Sequence, residues 1–90
     1  MTQEERYFII RKAVEKYGVI SQLDMVIEEC SELINAIEKY RRGRVGEVDI
    51  ITEVADVRIM IEQLYIMFGR DKIENEIDRK LERLSKRIKE

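Results

Sequence analysis

The 90-residue chain has no histidine and a single cysteine, and these two shortages remove most of the common catalytic machinery. Without histidine there is no Ser-His-Asp triad, no Cys-His pair, no His-ligated zinc and no Glu-x-x-His di-iron site. A lone Cys30 forms no intramolecular disulfide and no thiolate metal cage, so nothing points to an oxidising compartment and the cytoplasm is the default location. No apolar run approaches the roughly 18 residues of a membrane span, and the charged start Thr2-Gln3-Glu4-Glu5-Arg6 is unlike a signal peptide. A formal net charge of −2 disfavours binding to polymeric nucleic acid. Carboxylates, cations and hydroxyls are left to carry the chemistry.

Proline is absent and glycine occurs only four times, which together with abundant Glu, Lys, Arg, Ile and Leu predicts an all-α chain. The glycines stand where helices would stop. A first helix over Thr2–Tyr17 carries Phe8, Ile9, Ala13 and Val14 at helical spacing and ends at Gly18. Ser21, with Asp24 three residues on, reads as an N-cap opening a second helix to Arg42. Gly43 and Gly46 bracket a short basic turn, after which a third helix runs over Glu47–Phe68. Gly69 closes it, Asp71 and Glu74 repeat the capping pattern, and a fourth helix over Asp71–Lys89 aligns Ile73, Ile77, Leu81, Leu84 and Ile88 on one stripe.

No repeat or linker divides residues 1–90, so one helical bundle of about four helices is expected, built on an antiparallel hairpin of the second and third helices. Their apolar positions exceed what two flanking helices can cover. Val26, Ile27, Cys30, Leu33, Ile34 and Ile37 on one, with Ile50, Ile51, Val54, Val57, Ile59, Met60, Ile61 and Leu64 on the other, predict a homo-oligomer, dimer or tetramer. Cys30 on that face reads as a small core residue rather than a nucleophile.

Within the apolar third helix, Glu53 and Asp56 stand three apart and share a face. Ionised carboxylates beside Ile50, Val57 and Met60 are costly unless a cation compensates them. The second helix offers a matching pair, Glu29 and Glu32, flanked by Met25, Val26, Leu33 and Ala36. Glu28 instead lies on a polar strip with Ser21, Asp24, Ser31 and Asn35. Two facing carboxylate pairs make an all-oxygen site suited to Mg²⁺ or Mn²⁺, ions that keep waters and bind substrate phosphates.

The run Glu28-Glu29-Cys30-Ser31-Glu32, followed after twenty residues by Glu53-Val54-Ala55-Asp56, resembles the E-E-x-x-E…E-x-x-D signature of MazG-like all-α nucleoside triphosphate pyrophosphohydrolases. The likeness extends to Gln22-Leu23-Asp24-Met25, Ala55-Asp56-Val57 and Lys80-Leu81-Glu82-Arg83-Leu84, and so covers nearly the whole chain as a small single-domain member. It implies a Mg²⁺-dependent enzyme that cleaves a nucleoside triphosphate between its α and β phosphates, releasing a monophosphate and pyrophosphate. On that resemblance Glu29, Glu32, Glu53 and Asp56 are the metal ligands. Glu28 is the motif's first acid, its part left open between support of a ligand and activation of water.

Cations to hold the phosphates are expected from the tail, where Arg79, Lys80, Arg83, Lys86, Arg87 and Lys89 crowd together with Glu82 as the only acid. Lys80, Arg83 and Arg87 share a face at i, i+3 and i+7. Leu84 departs from relatives that carry Asn after the Lys. Arg41, Arg42 and Arg44 read as a polar connection, with mobile phosphate contacts as the alternative, and Lys39 reads similarly. A second reading, a helical nucleotide-binding or regulatory module without turnover, shares the fold and differs in product formation.

Overall fold

The computed structural model describes all residues from Met1 to Glu90. It contains four helices and no strand: α1 over Gln3–Tyr17, α2 over Val19–Arg41, α3 over Glu47–Phe68 and α4 over Arg70–Lys89. None is long and apolar enough to cross a membrane. Helix α1 opens with a capping box. The Glu5 N–H donates to Thr2 Oγ1 at 3.0 Å, and the Thr2 N–H donates to Glu5 Oε1 at 3.2 Å, so two N-terminal donors find partners.

Helices α2 and α4 start earlier than their capping patterns predict. Gly18 ends α1 and directly precedes α2, and Gly69 does the same between α3 and α4. At φ 87° and 108° each turns the chain within one residue, a conformation that costs glycine little. The next helix therefore restarts at once. Ser21 and Asp71 fall inside the first turns of α2 and α4, and neither helix has a side-chain cap.

Helices α2 and α3 make the most extensive contact in the chain, α1 leans on both, and α4 touches α3 alone. Gln22, near the start of α2, donates through Nε2 to Gln63 Oε1 near the end of α3 at 2.8 Å. At the other end, Lys39 of α2 shares a cleft with Asp49 of α3. The buried residues are Ala36, Met60, Gln22 and Gln63, with Val26, Cys30, Leu33, Ile50, Val57, Ile61 and Leu64 half-buried around them.

The rest of the predicted apolar set stays outside. Ile27, Ile34 and Ile37 of α2, Ile51, Val54 and Ile59 of α3, and Phe8 and Ile9 of α1 are exposed; Ile10, Ala13 and Val14 are the residues α1 turns inward. The α4 stripe splits. Ile73 and Ile77 are half-buried, whereas every residue from Asp78 onward is exposed. One chain thus presents 7399 Å² of accessible surface, against about 5,500 Å² for a compact protein of its mass. Its radius of gyration is 15.8 Å, against about 12 Å for a compact chain of this length.

Candidate functional site

Helical spacing puts Glu29, Glu32, Ala36 and Lys39 along one face of α2, and Asp49, Glu53, Asp56 and Met60 along one face of α3. Where these faces meet, Glu29, Glu53 and Asp56 each bring a carboxylate oxygen to within 4.8 Å of the other two. All three are half-buried. Glu32 is exposed at the edge, beside Glu53 in the wall of the adjoining cleft, and bears on Glu53 as a neighbouring like charge. Glu28 is exposed and lies beside the cluster rather than in it, bearing on Glu29 as a neighbouring like charge.

The electrostatics of this group are one-sided. Burial and the carboxylates of Glu32, Asp56, Glu53 and Glu28 push the Glu29 carboxyl above its ordinary value. Burial, with Glu32, Asp56 and Asp49, does the same to Glu53. No cation appears among these influences. Glu29 Oε2 and Glu53 Oε2 are both buried without a hydrogen-bond partner, although buried polar atoms normally find one. Two desolvated carboxylate oxygens and a third at the same spot are a donor set for a hard divalent cation.

Beyond Glu32 and Glu53 the α2–α3 groove opens into a cleft of about 340 Å³ that is lined also by Asn35, Ala36, Lys39, Asp49 and Thr52. Thr52 spends its hydroxyl proton on the Val48 carbonyl at 3.0 Å. Lys39 takes part in none of the chain's salt bridges. The sequence pattern does not place Lys39 beside the acids and passes over Asp49 and Thr52, though Lys39 lies seven after Glu32, and Asp49 four before Glu53. Gln63 is missed as well. A polar side chain in the apolar run of α3 is the signal that marks it.

The expected phosphate-holding cations are elsewhere. Lys80, Arg83 and Arg87 are exposed on α4, which does not touch α2, so one chain does not bring them to the acids. Instead Arg79, then Lys80 and Arg83, hold the Glu76 carboxyl below its usual range. The start of α4 is tied to α3 by Arg70, which donates to Glu62 Oε2 at 2.6 Å and lies 4.6 Å from the centre of the Tyr65 ring. Cys30 is half-buried, and Arg41 at the end of α2 is exposed, as are Arg42 and Arg44 in the turn after it. Comparison of the chain with known protein families, with curated proteins and with solved structures gives no match.

Proposed function

We propose that this chain is a Mg²⁺-dependent, MazG-like nucleoside triphosphate pyrophosphohydrolase that works as a homo-oligomer, with Mn²⁺ as a substitute ion. The observation that carries the reading is the pair of buried, unpartnered oxygens, Glu29 Oε2 and Glu53 Oε2, in a three-carboxylate group. A bundle without a ligand to place there has no reason to desolvate like charges against one another. The reading takes α2 and α3 as an antiparallel hairpin whose facing carboxylates form the site.

Glu29, Glu53 and Asp56, with Glu32 at the edge, would hold the ion. When bound, Mg²⁺ supplies charge neutralisation for the triphosphate and lowers the pKa of water. The surrounding chain does the rest. The half-buried acids fix where the α–β phosphoanhydride lies, and Glu28, outside the cluster and open to solvent, is available to accept a proton from the attacking water. Water adds across that bond, and the products are a nucleoside monophosphate and pyrophosphate. Contacts from Lys80, Arg83 and Arg87 would come from α4 of a second copy, since α4 of the same chain makes no contact with α2. Cytoplasmic nucleotide pools are the setting, in a house-cleaning capacity.

The test is product analysis with Mg²⁺ over a panel of ribo-, deoxyribo- and modified triphosphates. Monophosphate plus pyrophosphate is expected, reduced about a hundredfold or more in Glu53→Gln. A folded protein that cleaves no triphosphate with Mg²⁺ or Mn²⁺ would be a nucleotide-binding or regulatory module instead.

A further inference from the structure

We propose that Lys39, aided by Asn35, binds phosphate oxygens of a metal-bound di- or triphosphate in the cleft that continues from the acids, an inference that rests on reading the acids as a metal centre. The cleft and the acidic group share Glu53, with Glu32 beside it in the cleft wall, so a ligand held by the acids extends into it. Lys39 is its only cationic wall. Side chains on a helix lean toward the helix N-terminus, which on α2 aims the Lys39 stem back toward Glu32. Ala36, buried and small, lies between them and leaves room for a ligand. An ammonium with three donors, unpaired in the chain, suits phosphate oxygens.

The charge balance makes a sharper statement. Glu32, Asp49 and Glu53 outnumber Lys39 in the cleft, so a free polyphosphate is repelled until a divalent ion at the acids cancels the excess negative charge. Phosphate binding at Lys39 is therefore conditional on the metal. This distinguishes it from a simple basic patch, which attracts anions with or without one.

Calorimetry with inorganic pyrophosphate as the probe, in Mg²⁺ and in EDTA, tests the proposal, with Mn²⁺ binding measured separately by electron paramagnetic resonance. The wild-type chain is expected to bind pyrophosphate only with Mg²⁺. Lys39→Met should weaken that binding about tenfold or more, Lys39→Arg should recover part of it, and both should bind Mn²⁺ alone as the wild type does. Lys72→Met, which removes the same charge from α4, should change nothing. Undiminished pyrophosphate affinity in Lys39→Met, or an equal loss in Lys72→Met, overturns the assignment while leaving the metal centre standing. A wild-type chain that takes up no Mn²⁺ overturns both.

Discussion

Glu29 and Glu53 are folded against their own solvation, and the direction of their titration follows. Each carboxyl is raised above its ordinary value of 4.5, so the folded chain holds these protons more tightly than the unfolded one. Their contribution to stability is then greatest below 4.5 and falls as pH rises through the raised folded values. Above that window the metal-free protein carries the whole penalty. Glu53→Gln removes a charge that burial disfavours, so in EDTA it should melt higher than the parent near about pH 7.5 and close to it near about pH 4.5. Glu15 and Glu76 are pulled the opposite way by Lys12 and Arg79, which is why parent and variant are compared at one pH. Added Mg²⁺ should reverse the order near about pH 7.5, because only the parent retains the full binding set. A variant that melts lower than the parent throughout in EDTA would show that the Glu53 charge is not a burden. At this scale much is legible in the sequence. Acids three apart in an apolar helix announce themselves, and the neighbours of Glu29 and Glu28 tell the half-buried acid from the exposed one. The Gln22–Gln63 bond and the Lys39 cleft are not legible in the same way, because each depends on the relative placement of two helices, which the period of either helix alone does not set.

Single glycines join α1 to α2 and α3 to α4, and this is where the elements acquire their angles. Gly69 at φ 108° and ψ 117° occupies a region that side-chain-bearing residues avoid. A Cβ there would meet Lys72 Cδ at 3.5 Å, ordinary contact, so the obstacle is backbone conformation and not space. Gly69→Ala should accordingly cost about 1–3 kcal/mol, seen as a lower urea midpoint with unchanged slope at fixed protein concentration. If the midpoint stays put, the turn is more pliable than its dihedral angles imply. The number of helices and the full span of α3 are readable from periodicity and glycine placement. The starts of α2 and α4 are not, because Ser21 and Asp71 carry the side chains of caps while the glycines before them supply the turn. Residue type marks what can cap a helix; the backbone decides which residue is given the position.

One chain exposes about 1,900 Å² more surface than its mass requires, and the excess has a definite address. On α4, Leu81, Leu84 and Ile88 are 54%, 44% and 75% exposed, on the stripe whose first members, Ile73 and Ile77, already pack inward. On α2 and α3, Ile27, Ile34, Ile51 and Val54 stand equally bare. A standard interface removes about 800 Å² per partner, so the surplus is large enough for the proposed homo-oligomer to cover. The number of apolar positions on α2 and α3 is the sign of this in the sequence; which helix faces remain uncovered is apparent only once α4 is seen to leave the bundle after Ile77. Sedimentation equilibrium should therefore give a mass of two or four chains, with a melting temperature that rises with protein concentration. Leu84→Asp places a charge on the α4 stripe away from the acids. It should lower the mass or make the assembly dissociate at higher concentration, and far-ultraviolet circular dichroism would show whether the helices survive. If α4 of one copy serves the acids of another, the same variant should also weaken Mg²⁺-dependent pyrophosphate binding, whereas Lys72→Met should not. A helical, stable monomer at all concentrations would refute the assembly, and the phosphate contacts would then fall to Lys39 within the single chain.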